Sequence, residues 1–115
     1  MIVAGWDRSY NYPLLFVADG DPYQKTSWKQ VDLLDHGIEW QGGAYGLSAS
    51  GDTVVVVGNK LPGNSGFVIE SKDRGKTWSE ITPPGDPEIL WRARLFPGGT
   101  LVVAGGAELW IRSPG

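Results

Sequence analysis

Three short apolar runs, each ending in or near glycine, recur along this chain and constrain its fold more than any other feature. The glycine-terminated runs occupy residues 1–5, 54–58 and 101–105, and the second apolar runs that follow them occupy 15–19, 67–71 and 109–113. Trp28 and Trp78 mark a third recurring position, about 50 residues apart, a spacing typical of repeat architectures. We therefore predict one structural unit repeated along the chain. Aligned by these runs, Leu15 and Leu109 correspond to Phe67.

The repeated units are predicted to consist of strands, not helices. The 115 residues include 17 Gly and 8 Pro, and no stretch keeps a 3.6-residue apolar period long enough for a stable helix. Residues 31–39 have room for one helical turn at most. Gly-containing segments at 50–52 and 97–99 suit hairpin turns, because glycine adopts positive φ without a steric penalty.

The resulting prediction is an all-β fold of four-stranded antiparallel units, whose strands we name inner, second, third and outer in chain order. The units are approximately residues 1–35, 36–85 and 86–115, within a single domain. The first lacks an inner strand, the second has all four, and the third lacks an outer strand. About ten strands are expected.

One eight-residue segment between the third and outer strands of the middle unit carries a specific motif. It reads SKDRGKTW at residues 71–78. In such a turn a short Asp side chain accepts hydrogen bonds from backbone N–H groups, Ser and Thr hydroxyls accept them more weakly, and Gly takes φ > 0. The Trp then covers the turn while its indole N–H finds a partner. The residues given these structural roles are Ser71, Asp73, Gly75, Thr77 and Trp78.

This segment resembles the Asp box, S-x-D-x-G-x-T-W, at every defined position. Degenerate forms are assigned to residues 19–28 and to the start of a box at Ser113. The resemblance covers nearly the whole chain and is to the Asp-box (BNR-like) repeat β-propeller families, which include sialidases, other glycosidases, sortilin-like receptors and photosystem II assembly factors. It implies propeller blades, with the box on an outer hairpin away from any catalytic face.

Catalysis is not expected. The resemblance implies that a sialidase would need three carboxylate-binding Arg residues and a Tyr–Glu pair, but none of the five Arg residues lies in an Arg-Ile-Pro type motif. The acidic candidates, which no spacing groups into a glycosidase pair, are Glu39, Asp52, Asp86 and Glu88. His36 is interpreted as a solvated loop residue. Asp19 and Asp21 offer too few oxygens for Ca²⁺, so neither a metal nor a cofactor is expected.

The inner strands are the expected place for a ligand, since in a propeller they line the channel and its rims. The segments 44–47 (AYGL) and 91–94 (WRAR) stand at equivalent places, with Ala44 aligned to Trp91 and Tyr45 to Arg92. Arg92 and Arg94 alternate with Trp91 and Ala93. These residues either pack between units beside a solvated channel, or form a rim for an anionic or sugar ligand, with Arg as a hydrogen-bonding fork and the aromatic rings as stacking surfaces. A second aromatic group is a weaker candidate for recognition and consists of Trp6, Tyr10, Tyr12 and Tyr23.

The charge and composition of the chain limit the classes of partner that we expect. A formal net charge of -3 argues against nucleic acid, whose binding requires clustered Lys and Arg. No segment has the pattern of a signal peptide or a membrane span, so a soluble chain is expected. The absence of Cys excludes disulfides and leaves the compartment open.

The incomplete outer units predict self-association, because repeat proteins need caps or partners at exposed ends. Head-to-tail contacts can close into a ring, and a dimer is preferred to a trimer. The alternative is a fragment of a longer open reading frame. We therefore expect a non-enzymatic binding or scaffold module for a glycan or protein, viral or bacterial in origin. The alternatives are a sialidase-like glycoside hydrolase fragment and a photosystem-assembly-like factor.

Overall fold

The computed structural model describes residues 2–7, 12–18, 23–24, 28–31, 41–61, 65–82, 89–106 and 109–114. Ten β-strands, and no helix, are found in these residues. All of the strand pairings are antiparallel. The prediction of an all-β fold is confirmed.

The strands form three sheets, which we number in chain order. Sheet 1 has the order β1-β2-β3, sheet 2 the order β4-β5-β6-β7, and sheet 3 the order β8-β9-β10. The strands of sheet 1 are β1 (Ile2–Asp7), β2 (Tyr12–Ala18) and β3 (Trp28–Gln30). Those of sheet 2 are β4 (Gln41–Ser50), β5 (Thr53–Leu61), β6 (Ser65–Ser71) and β7 (Ser79–Glu80). Those of sheet 3 are β8 (Leu90–Leu95), β9 (Leu101–Gly105) and β10 (Leu109–Arg112). The predicted order of strands along the chain is therefore confirmed. The segment 32–39, assigned at most one helical turn, lies outside the described residues.

Sheet 2 is buried on both faces, and β5 shows why. Its four consecutive valines alternate between two cores, because successive side chains of a strand point to opposite faces. Val54 and Val56 lie in the first core, between sheets 1 and 2, and Val55 and Val57 lie in the second core, between sheets 2 and 3. A continuous apolar run, without polar alternation, is what a strand covered on both faces requires.

The two cores take residues from all three sheets. In the first core, the buried residues are Leu15, Ala44, Val54, Val56, Phe67, Ile69 and Trp78, with Ile2, Val31 and Leu47 packed against them. In the second, they are Val55, Val57, Val68, Leu90, Leu95, Leu101 and Val103, with Ile81, Ala93 and Trp110 packed against them. The sheets therefore stack face to face, with sheet 2 in the middle.

Polar links tie sheet 3 to sheet 2. The Leu95 backbone N–H donates to Ser48 Oγ at 2.8 Å, which joins β8 to β4. Arg112 Nη2 donates to Glu70 Oε2 at 2.6 Å, which joins β10 to β6. Gly46 permits a close approach at the same interface, since a Cβ there would lie 2.7 Å from the Trp91 carbonyl oxygen.

The alignment of the third strands drawn from the sequence is wrong by one residue. Val54 pairs with Ser71, and Leu101, its equivalent in β9, pairs with Arg112. Arg112 therefore occupies the place of Ser71, and Ser113 does not begin a copy of the motif. The error arises because an apolar run carries no internal landmark, whereas pairing with the preceding strand fixes the register.

Sheet 1 shows the same offset. The Val31 N–H donates to the Leu15 carbonyl at 2.8 Å, and the Ile81 N–H donates to the Val68 carbonyl at 2.8 Å. Leu15 is thus equivalent to Val68 and not to Phe67. The pairing of the outer strands still leaves the two tryptophans that the sequence aligned, Trp28 and Trp78, at equivalent places.

Candidate functional site

The turn at residues 71–78, which we call the clasp, is closed by its own side chains. Ser71 Oγ donates to Asp73 Oδ1 at 2.7 Å and accepts from the Gly75 N–H at 2.8 Å. The Thr77 N–H donates to Asp73 Oδ1 at 2.8 Å, and the Thr77 hydroxyl donates to Asp73 Oδ2 at 2.5 Å. Trp78 Nε1–H donates to the Gly75 carbonyl at 2.9 Å. The predicted roles of Ser71 and Asp73 as acceptors of backbone N–H groups, and of the Trp78 indole as a bonded donor, are confirmed. The Thr77 hydroxyl instead donates to the Asp73 carboxylate.

Backbone geometry explains the glycine of the clasp. Gly75 has φ of 92°, as predicted, and Arg74 before it has φ of 61°. A Cβ on Gly75 would lie 3.0 Å from Val17 Cγ2 and 3.1 Å from Ile2 Cδ1. Trp78 is only 5 % exposed. The clasp is therefore seated against sheet 1, and its residues stabilise the packing of sheet 2 on sheet 1.

The clasp also changes the pKa of the one carboxyl group that it contains, that of Asp73. The hydrogen bonds from Thr77, first through its side chain and then through its N–H, together with that from Ser71, lower the pKa of Asp73 from 3.8 to about 2. Each of these donors stabilises the carboxylate form. Asp73 is therefore an ionised acceptor at neutral pH, which suits a structural role and not proton transfer.

A different arrangement is found on the inner strands, β4 and β8. The pairing register of β4 with β5 shifts at Tyr45, and that of β8 with β9 shifts at Trp91. Each residue is the extra residue of a β-bulge, a feature that redirects a side chain. The two rings stack on each other, with centroids 4.7 Å apart and planes at 24°. The sequence alignment of residues 44–47 with 91–94 is therefore wrong by one position, since the two bulges make Tyr45, and not Ala44, the equivalent of Trp91.

This pair, which we call the aromatic pair, is open to solvent. Tyr45 is 36 % exposed and Trp91 is 47 % exposed. Trp91 therefore does not pack inside a core between sheets, and its bulge removes it from the simple alternation predicted for β8. Partly exposed Trp and Tyr rings are common centres of binding sites, because they contribute a large contact area with little loss of conformational entropy.

Arg92 and Arg94 follow the aromatic pair along β8 and are both exposed. Ala93, between them, packs against the second core, so the two Arg residues lie on the opposite face of sheet 3. The guanidinium of Arg94 lies 5.6 Å from the centre of the Phe96 ring, within cation–π range. The strand therefore presents two cationic groups and an aromatic ring outside the core.

A cleft of about 580 Å³ lies between sheets 2 and 3, toward the other ends of the same inner strands. Its polar lining includes Ser50, Thr53 and Lys72, together with the Glu70–Arg112 ion pair. Glu70 is only 4 % exposed, and a buried charge requires such a partner. This pair could not be assigned from the sequence. A charged residue within each of two apolar runs was the available signal, but it does not reveal which charges meet.

Few of the remaining sequence candidates lie among the residues that the structure describes. Asp52 is exposed, and its carboxylate pairs with Arg74 at 2.5 Å. The other acidic candidates, Glu39, Asp86, Glu88, Asp19 and Asp21, lie outside the described residues, as do His36 and Tyr10. Trp6 and Tyr12 lie in β1 and β2, and Tyr23 is exposed in a turn. Within the described ranges, no cluster of three His, Asp or Glu residues could hold a metal ion.

Comparisons with protein-family models, with curated proteins and with solved structures gave no match to this chain. The class that the fold itself defines is an all-β protein of three stacked antiparallel sheets. Among the described residues, no helix is long and apolar enough to span a membrane.

Proposed function

We propose that this chain is a non-enzymatic binding or scaffold module, and that its ligand, a glycan or a protein, contacts the aromatic pair. The observation that carries the proposal is the stacking of Tyr45 on Trp91, with both rings partly exposed. An exposed apolar surface of this kind is stabilised when a ligand covers it. The free face of a Tyr or Trp ring suits a sugar ring or an apolar side chain equally well.

The two arginines extend this surface with charge. Arg92 and Arg94 are exposed on the strand that carries Trp91. A guanidinium is planar and always charged, and it can bind a carboxylate with two hydrogen bonds. A ligand with an acidic group beside an apolar ring is therefore the best fit, whether the acidic group belongs to a saccharide or to an Asp or Glu side chain.

We also propose that the three sheets are blades of a β-propeller of the Asp-box kind. Support comes from the repeated strand order, from the bulges at equivalent places in β4 and β8, and from the clasp at an outer hairpin. In that arrangement β4 and β8 are inner strands, so the aromatic pair lies on the ligand-facing side. The sialidase-like and photosystem-assembly-like alternatives have no specific observation in their favour.

The test is a binding screen with the wild-type chain against neutral and carboxylate-bearing oligosaccharides and against acidic, aromatic-rich peptides. We expect one class to bind, with Trp91→Ala weakening the interaction at least about tenfold, the loss of roughly 1.4 kcal/mol. Ser79→Ala is the control, because Ser79 is exposed on β7 and lies outside the aromatic pair.

Two results would contradict the proposal. One is the absence of binding to every probe. The other is equal binding by the wild-type, Tyr45→Ala and Trp91→Ala chains, since that would place the ligand elsewhere. Loss of binding through Arg92→Ala and Arg94→Ala only for acidic probes would identify the charged part of the ligand.

A further inference from the structure

The face of sheet 3 turned away from sheet 2, which we call the outer face, has an uncovered apolar patch on β9 and β10, beside the exposed Arg92 and Arg94 of β8. Leu109 is 66 % exposed and Ile111 is 58 % exposed. Their partners across the β9–β10 pairing, Ala104 and Val102, are only partly buried. Alternation assigns these four residues to the same face, because Val103 between them lies in the second core. Such a patch marks an interaction surface more often than an isolated exposed side chain does.

The equivalent face of sheet 2 is fully covered. The pairing registers make Val55 and Val57 the equivalents of Val102 and Ala104. Val55 and Val57 are 0 % exposed and pack against sheet 3 in the second core. In sheet 1, Ile2 occupies the place of Val55 and packs against sheet 2 in the first core. Sheets 1 and 2 therefore both use this face to contact the next sheet.

The complementary half of that contact is found on sheet 1. Phe16 and Trp28 lie on the face of sheet 1 away from sheet 2, because Leu15, next to Phe16, lies in the first core. The pairing registers make Phe16 the equivalent of Ile69 and Trp28 the equivalent of Trp78. Ile69 and Trp78 are buried where sheet 2 receives sheet 1, whereas Phe16 and Trp28 are only partly buried.

We propose that a second copy of this chain docks its sheet 1 onto the outer face of sheet 3. The outer face and the face carrying Phe16 and Trp28 are the two halves of an interface that the chain already makes twice within itself. The contact is head-to-tail, so repetition leads to a closed ring or to an open filament, according to its rotation. The contact is formed by apolar residues of β9 and β10 and not by the aromatic pair, but Arg92 and Arg94 lie on the same face, across from Ala104 and Val102.

The first test measures the mass of the full chain by sedimentation over a hundredfold range of concentration. We expect masses above that of one chain, increasing with concentration. Ile111→Lys should raise the dissociation constant at least about tenfold, since it buries an unpaired ammonium group in the contact. Because Ile111 is exposed in the single chain, the variant should fold, which circular dichroism checks. Ser79→Lys adds the same charge on exposed β7 and should associate like the wild type.

The second test distinguishes a head-to-tail contact from a symmetric one. Phe16→Lys should also remain monomeric, because it alters the other half of the interface. Mixing the Phe16→Lys and Ile111→Lys chains should give 1:1 dimers and nothing larger, since the mixture retains one intact pair of surfaces. If either variant is unfolded, Phe16→Thr or Ile111→Thr replaces it.

The proposal is overturned if the wild-type chain stays monomeric throughout the series, if Ile111→Lys associates like the wild type, or if the two folded monomeric variants do not pair when mixed. A ligand that still binds a monomeric wild-type chain through Trp91 would leave the proposed function in place while removing this one. Association of the wild-type chain, together with no binding to any probe, would keep the docking contact and remove the proposed function.

Discussion

Two tryptophans of this chain occupy environments that differ in almost every physical respect. Trp78 is 5 % exposed, packs in the first core and donates its indole N–H to the Gly75 carbonyl. Trp91 is 47 % exposed, occupies a bulge, and stacks on a tyrosine that is itself partly exposed. Around Trp78 the polar groups of the clasp bond to one another, whereas around Trp91 an aromatic surface and two arginines face outward.

The difference separates a residue that stabilises the fold from one that is available to a ligand. A buried ring with a bonded indole has most of its interactions already made, so its loss affects stability. A half-exposed ring has contact area left to gain when it is covered, so its loss affects binding. The two environments also explain why the complete sequence motif lies at the structural site and not at the proposed binding site.

The largest expected effect comes from removing each tryptophan in turn. Trp78→Ala should lower the free energy of unfolding by about 3–5 kcal/mol, the usual effect of truncating a buried aromatic side chain. Trp91→Ala should lower it by about 0.5–1.5 kcal/mol, the contribution of an aromatic pair. Urea denaturation of the two variants measures the difference. Equal losses would show that the two rings contribute alike, and Trp78→Phe provides a milder variant if Trp78→Ala does not fold.

A smaller effect on stability tests whether the clasp packs against sheet 1. Gly75→Ala and Gly98→Ala both place a side chain at positive φ, 92° and 98°, at a backbone cost of about 1–2 kcal/mol. Only at Gly75 would the new Cβ also meet side chains of sheet 1, while at Gly98 no atom lies within 4 Å. Gly75→Ala should therefore be the more destabilising by about 1–3 kcal/mol, the usual effect of overpacking. Identical unfolding midpoints for the two variants would mean that Gly75 is not closely packed against Ile2 and Val17.

The smallest effect concerns pH. Because the pKa of Asp73 is lowered from 3.8 to about 2 in the folded chain, its ionised form stabilises the fold above about pH 4. That contribution is lost as the pH falls from about 4 toward 2. Asp73→Asn should lower the urea midpoint at pH 5, and the gap to the wild type should narrow as the pH approaches 2.

Asp52→Asn is the control for that titration. It removes an exposed ion pair with Arg74, and such pairs contribute little, so its midpoint at pH 5 should stay near that of the wild type. If the difference in urea midpoint between Asp73→Asn and the wild type did not change with pH, ionisation of the Asp73 carboxyl group would not contribute to the stability of the fold.

Much of the fold could be predicted from the sequence, because its signals are local. Glycine-ended apolar runs predict strands and turns, and the SKDRGKTW segment specifies its own hydrogen bonds, since Ser71, Asp73 and Thr77 are within four residues of their partners. The likeness of the segments that contain Tyr45 and Trp91 was also visible to within one residue, since each segment precedes a repeated turn and strand. These features depend on residues that are close together in the sequence, so they can be predicted without the tertiary structure.

The register of the third strands and the partners of the charged residues could not be predicted in this way. When an apolar run such as residues 109–113 is aligned with another apolar run, a shift of one position still matches apolar residues to apolar residues. Only the pairing with β9 fixes the position of Arg112. The pairing of Glu70 with Arg112 joins residues 42 positions apart. No local pattern encodes a contact of that range.

The sequence by itself therefore determined that the chain is built of repeated antiparallel strands, and which eight residues form the clasp. The tertiary structure decided which faces of the sheets meet, that Tyr45 and Trp91 stack, and that Leu109 and Ile111 are left uncovered. The physical reason is that strand formation and tight turns follow from backbone preferences and from hydrogen bonds over a few residues. Burial instead depends on how whole sheets are stacked: Val68 of β6 is buried, whereas its equivalent in β10, Leu109, is exposed.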